Sequence, residues 1–102
     1  MSFIIAYITN QDMEAAKKVA SHLLGKRLIA CANLMPIESM YWWRGKVEEG
    51  SEVVAIVKTR RENWEKVKEE VLRIHPYETP CIMRIDAEAN RGYEEWIREE
   101  TV

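Results

Sequence analysis

The segment His75-Pro76-Tyr77-Glu78-Thr79-Pro80 places an imidazole, a phenol and a carboxylate between and beside two prolines. Proline lacks an N–H donor, so this stretch fits neither a helix interior nor a central strand. It reads as a rigid joint carrying three side chains able to bond a ligand or each other. His75 is either a cap at a helix C-terminus, favoured by the helix dipole, or a ligand or proton donor facing a cleft. Tyr77 reads as a packing wedge whose hydroxyl needs a partner. Glu78 is either solvated or bonded to a backbone N–H.

A second dense segment is Tyr41-Trp42-Trp43-Arg44-Gly45-Lys46. Adjacent tryptophans on a strand point to opposite faces. The expectation is one ring in the core and one in a subunit interface. Lys46 and Lys58 read as solvated charges, and His22, beside Leu23 and Leu24 on a helix, as a half-exposed surface residue. Cys31 and Cys81 both sit in apolar runs and read as small buried hydrophobes.

Other chemistry is excluded by pattern. No Cys-x-x-Cys pair exists for a zinc ribbon or a redox site. The chain's 4 glycines are scattered and build no phosphate loop, and no Gly-x-Ser-x-Gly elbow occurs. With no nucleophile or oxyanion donor visible, the chain reads as a binding protein and not an enzyme. A net charge of −2 gives no reason to expect nucleic acid or an acidic membrane. The start, Met1-Ser2-Phe3-Ile4-Ile5-Ala6, lacks the basic beginning and long apolar core of a signal peptide. No apolar run nears the ~20 residues of a membrane span. A soluble, cytosolic protein is expected. Glu, Lys and Arg dominate the charged residues, a bias found in thermophilic proteins.

The elements that must position these residues follow from periodicity. At 102 residues the chain is one domain, 1–102. A domain of that size buries roughly 60–70% of its unfolded surface and needs no disulfide or metal to fold. Residues 3–9 read as a strand. Asn10 or Asp12 caps a helix with Met13, Ala16, Val19, Ala20, Leu23 and Leu24 at helical spacing, ending near Gly25. A long strand runs from Ile29 to about Val47, with a bulge or an edge at Pro36. Glu48-Glu49-Gly50-Ser51 reads as the turn of a hairpin that returns over 52–59. Thr59 and Glu62 fit a capping box opening a helix with Trp64, Val67, Val71 and Ile74 on one face. Glu62–Lys66 and Glu69–Arg73 are favourable i,i+4 pairs. A fourth strand covers 81–86, and Asn90 caps a last helix with Tyr93, Trp96 and Ile97 on one side.

The order β-α-β-β-α-β is the α+β, ferredoxin-like split arrangement, here with a C-terminal helix. Right-handed crossovers put both main helices on one face of the sheet. The strand Val53-Val54-Ala55-Ile56-Val57 is apolar at both parities, as in strands buried on both faces. One domain cannot supply the second cover, so an oligomer is expected, with the long arm pairing to a neighbour's edge. The RNA-recognition motif shares this topology, but residues 52–58 carry no aromatic for base stacking.

Ala30-Cys31-Ala32-Asn33-Leu34, Tyr41-Trp42-Trp43-x-Gly45-Lys46, Lys58-Thr59, His75-Pro76-Tyr77-Glu78-x-Pro80 and Tyr93-x-x-Trp96 together resemble the CutA family of divalent-cation tolerance proteins. The resemblance covers nearly the whole chain. It implies a homotrimer with interlocking hairpin arms, a cytosolic role in tolerance of copper and other divalent ions, and no enzymatic reaction. It also implies an architecture similar to the PII signalling proteins, with a cleft between subunits. An intersubunit small-molecule sensor is therefore the alternative reading, and Lys58, His75 and Glu78 would suit an anionic or zwitterionic ligand. The positions gathered at the cleft would be Cys31, Asn33, Trp43, Lys58, His75, Tyr77 and Glu78. No cofactor is required; a copper or other divalent cation is the metal implied, with His75 its imidazole ligand. Some copper-bearing members of the family that the chain resembles have a first-strand cysteine and two successive histidines before the proline. Here the strand reads Ile5-Ala6-Tyr7-Ile8 and the joint Ile74-His75-Pro76, and one imidazole is a poor divalent-ion site.

Overall fold

Ile4, Ala6, Ile8 and Asn10 alternate along the first strand with Phe3, Ile5, Tyr7 and Thr9, and the first set is buried throughout. That period of two gives the sheet a covered and an open face. The computed structural model describes residues 3–102; Met1 and Ser2, the beginning of the N-terminal stretch read above, lie outside the described residues. The elements are β1 (Phe3–Asn10), α1 (Met13–Gly25), β2 (Cys31–Trp43), β3 (Lys46–Arg60), a 3-10 turn (Arg61–Asn63), α2 (Trp64–Ile74), β4 (Ile82–Ala87) and α3 (Arg91–Glu100). The strands lie in the order β2-β3-β1-β4, all neighbours antiparallel. This is the expected ferredoxin-like sheet.

Val19 and Leu23 of α1 and Val67 and Val71 of α2 pack on Ala6, Ile8, Ala55 and Val57 of the covered face. Asp12, not Asn10, caps α1, accepting the Ala15 N–H at 2.8 Å. Asn10 is buried and donates to the Ile8 and Val53 carbonyls. The left-handed residue that ends α1 is Arg27, φ 54°, and not Gly25. Its N–H bonds the Leu24 carbonyl and the Leu28 N–H bonds that of Leu23, the paired closure of a Schellman motif. Buried Leu28 then packs in the cluster that holds Leu23, which fixes the exit direction.

The hairpin turn is Arg44-Gly45, not 48–51. Both residues have positive φ, 50° and 82°, as a two-residue type I′ turn requires. The ladder then runs unbroken from Cys31 opposite Lys58 to Trp43 opposite Lys46, with Gly50 opposite Ser39 inside it. Pro36 is accommodated because β2 is an edge strand, and the register shows no bulge. Beyond Pro36 and Val53 no third strand accompanies β2 and β3. Residues 37–52 form a two-stranded arm, and the molecule measures 45 × 24 × 21 Å.

Thr59 opens no capping box. It stays in β3, fully buried, its hydroxyl donating to the Leu28 carbonyl at 2.6 Å and accepting from Asn63. The Asn63 amide donates to the same Leu28 carbonyl at 3.3 Å, so the hydroxyl is held in a closed buried network, which outweighs a cap at an exposed helix start. Asn90 likewise makes no side-chain cap; the Glu94 carboxylate accepts the Ala89 N–H at 2.8 Å. Glu62 pairs with Arg98 of α3 at 3.2 Å in place of Lys66. α3 closes one end of the open face, where Tyr93 meets Phe3 edge-on and the Arg60 guanidinium donates to the carbonyls of Arg98 and Thr101.

Arg73 reaches Glu70, not Glu69, at 2.6 Å. The half-buried Glu70 also takes His22 of α1 at 2.7 Å and Lys26 at 3.5 Å. His22 is half-exposed as expected, and it also bridges α1 to α2. The His22 hydrogen bond first, then that of Arg73 and the Lys26 charge, hold the Glu70 carboxyl down to about 2 from 4.5. A folded value below the unfolded one stabilises the fold above 4.5, and that contribution disappears as pH falls towards 2. Urea titrations from pH 5 to 2 are expected to show a shallower loss of stability in Glu70→Gln than in the wild type. Parallel curves would remove Glu70 from the acid response.

Candidate functional site

The joint after α2 is built as the prolines dictate. His75 is the C-terminal cap of α2, its N–H bonding the Val71 carbonyl at 2.8 Å. None of the described peptide bonds is cis. The imidazole is buried, and both of its nitrogens are used. Nε2 lies 2.8 Å from the Thr9 carbonyl, which can only accept, so Nε2 carries the proton. Nδ1 accepts the Tyr77 N–H at 3.2 Å. The two rings meet edge to face at 4.6 Å. The histidine thereby pins the joint to the end of β1 and aims Tyr77 across the open face.

Tyr77 finds the partner its hydroxyl needs in Glu52 of β3, at 2.7 Å. Burial first, then that carboxylate, push the phenol well above its ordinary value. Burial also raises the Cys81 thiol, with the Glu52 charge second. Cys31 and Cys81 are half-buried free thiols, less enclosed than their apolar neighbours implied, because Cys31 lies on the edge strand and Cys81 just ahead of β4.

Between the arm and the joint is a cavity of about 820 Å³, within the usual size range of small-molecule sites. Trp43, Tyr77 and Glu78 line it together, with Tyr41, Trp42 and Glu52. Neither tryptophan of the arm enters the chain's own core: Trp42 is 75% exposed and Trp43 38%. The arm lies beyond the helices, so the chain itself leaves Trp42 largely uncovered and Trp43 partly so. Arg44 at the arm's tip reaches Glu78 at 3.1 Å and stands 5.4 Å from the Trp43 ring.

Cys31, Asn33 and Lys58 occupy the other end of the open face. Cys31 and Lys58 are directly paired, and Cys31 lies 3.9 Å from the Asn33 amide oxygen. Lys58 sits 5.4 Å from the Tyr93 ring and does not line the cavity. Six residues along β3 separate Lys58 from Glu52, which is about 20 Å of strand. Within one chain six of the seven expected positions therefore fall into two groups, and the seventh, His75, is buried beside Tyr77 and does not line the cavity. Glu52, Arg44 and Tyr41 were not among them. Tyr77's need for a partner was the one signal pointing towards Glu52, and 25 residues separate the two. Among the described residues no three His, Cys, Asp or Glu side chains come together as a metal-holding group. No helix among them is long and apolar enough to cross a membrane.

A split βαβ sheet, a protruding two-stranded arm and a cleft at a proline joint define a class of small α+β, ferredoxin-like domain. The chain belongs to the family described as CutA1 divalent ion tolerance protein, whose profile matches residues 4–100. It is 52% identical over 99 residues to the divalent-cation tolerance protein CutA of Pyrococcus horikoshii, covering 96% of this chain and 97% of that one. It is 38% identical over 98 residues to the human protein CutA, covering 94% of this chain and 55% of that longer one. The crystal structure of CutA1 from Oryza sativa superposes with a TM-score of 0.95 at 35% identity, covering 100% of this chain and 95% of that one.

Proposed function

We propose that this chain acts as a homotrimeric binding protein in the tolerance of copper and other divalent cations, its arm and open sheet face forming the contacts between subunits. The carrying observation is apolar surface. Met40, Trp42 and Val47 on the arm are 70%, 75% and 52% exposed, and Met35, Met83 and Ile85 on the open face are close to half exposed. Clusters of exposed large apolar side chains of this kind mark an interface. Val54 needs no external cover, being fully buried already between Thr9 and Met35 in the ladder. The case for a partner therefore moves to these exposed neighbours.

In such a trimer Cys31, Asn33 and Lys58 of one subunit would face Trp43, Tyr77 and Glu78 of the next, reuniting the two groups across one cleft. A divalent ion taken by His75 would have to displace the Tyr77 N–H from Nδ1. A second reading, a sensor of a small molecule similar to the PII proteins, is favoured by the cavity's volume, which suits a metabolite better than a bare ion.

Light scattering at micromolar concentration is expected to give a trimer that persists on dilution. Obligate interfaces bury roughly 2,000 Å² or more. A monomer at that concentration would end the proposal. Native mass spectrometry of protein purified without added metal separates the two readings by showing a retained metal or a retained metabolite.

A further inference from the structure

We infer that the proline joint of this chain holds no divalent cation, and that His75 serves there as the positioning residue of the cleft. The inference deepens the reading of this cleft as a ligand site and rests on it. It uses bonds that a buried ring makes within one chain.

A metal binds imidazole through the lone pair of a ring nitrogen. His75 has one such pair, on Nδ1, because Nε2 carries the proton that goes to the Thr9 carbonyl at 2.8 Å. That lone pair already accepts the Tyr77 N–H at 3.2 Å. The other tautomer gives no relief. It would set Nδ1–H against the Tyr77 N–H and bare Nε2 against the Thr9 oxygen. Donor would face donor, acceptor would face acceptor, and both bonds would be lost. A cation reaches His75 only by breaking the bonds that hold the joint.

The neighbouring donors are committed as well. The Tyr77 hydroxyl donates to Glu52 at 2.7 Å, and Glu78 pairs with Arg44 at 3.1 Å. The strand beside the joint reads Ile5-Ala6-Tyr7-Ile8-Thr9 and offers no thiol or imidazole. Copper wants several nitrogen, oxygen or sulfur donors together, and no three His, Cys, Asp or Glu side chains converge among the described residues. A Cys31 thiol brought by a neighbouring subunit would add a donor without freeing Nδ1. The residues present therefore do not fit the copper ion that the resemblance implies at this position.

The same bonds give His75 its task. Residues 75–81 lie in no helix or strand, so no ladder orients Tyr77. The imidazole supplies that reference. It ties the Tyr77 backbone to the end of β1 and meets the Tyr77 ring edge to face at 4.6 Å, which holds the phenol across the open face towards Glu52.

Copper is tested by titrating Cu²⁺ into the wild type and into His75→Gln, which can still donate to Thr9 but lacks the acceptor at the place of Nδ1. The two electron paramagnetic resonance spectra are expected to coincide. A nitrogen-coupled copper signal that the variant loses overturns the inference. Should the variant fold poorly, long-range nitrogen–proton NMR of the wild type decides the point. The His75 ring is expected to keep its Nε2–H tautomer when Zn²⁺ is added, and a metal-bound Nδ1 overturns the inference. Positioning is read from non-additivity. Tyr77→Phe is expected to raise the unfolding equilibrium constant about tenfold in the wild type, and by no more than about twofold in the His75→Gln or His75→Ala background. Equal effects in the two backgrounds would leave His75 a stabilising residue only and overturn the inference. Light scattering on the same samples keeps assembly separate. A monomer with the expected copper and coupling results refutes the assembly alone, and a trimer whose copper signal depends on His75 refutes this inference alone.

Discussion

A folded monomer is the expected product of joining Ile37 to Glu52 through an Asn-Gly turn, which removes residues 38–51. The two residues are directly opposite in the ladder, an even number of steps from the Trp43–Lys46 pair that flanks the native turn, so they form a hydrogen-bonded pair and a two-residue type I′ turn closes the shortened hairpin without shifting register. The core lies wholly outside the deleted segment: Ala6, Ile8, Ala55, Val57 and the four helix residues packed on them remain. What disappears is the apolar surface of Met40, Trp42, Trp43 and Val47, which the chain itself leaves uncovered. Light scattering with circular dichroism checks both halves. An intact trimer would shift the assembly surface to the open sheet face alone, and an unfolded chain would show that the arm contributes to the subunit fold.

His75→Ala is expected to destabilise the protein by about 2–4 kcal/mol, since it strips partners from the Thr9 carbonyl and the Tyr77 N–H together and leaves a void beside Tyr77. Urea denaturation measures it. A loss below about 0.5 kcal/mol, the size of an ordinary surface substitution, would show that the prolines hold the joint unaided. Copper calorimetry on the two proteins adds the metal question. If His75 is a ligand, affinity falls with the substitution; equal affinities would leave the imidazole with the structural task alone.

The sheet was readable from local chemistry. The short apolar, β-branched runs of β1 and 53–57 and the helical spacing in α1 and α2 each depend on residues a few positions apart. The order of elements then restricts the topology, because crossover handedness is nearly invariant. The proline joint was readable for the same reason, since a missing N–H acts at its own position.

The hairpin turn was misplaced because Gly50-Ser51 carries an ordinary turn signature, whereas the true turn sets Arg44, a residue rarely found at positive φ, before Gly45. Only the ladder as a whole, pairing Trp43 with Lys46, decides between them. Thr59 looked like a cap because cap signatures are local; the Leu28 carbonyl that claims its hydroxyl is 31 residues away.

The site divides in the same way. Sequence alone determined which groups can act: an imidazole, a phenol and a carboxylate held on a rigid joint, and an aromatic pair on a long strand. Tertiary structure decided where each points. It turned His75 inward to Thr9, brought Tyr77 to Glu52, and set Lys58 some six residues up the strand from the cavity. Periodicity specifies the face on which a side chain lies. The partner it meets depends on strand register and on the exit angle of a loop, and those are settled by packing across the whole domain.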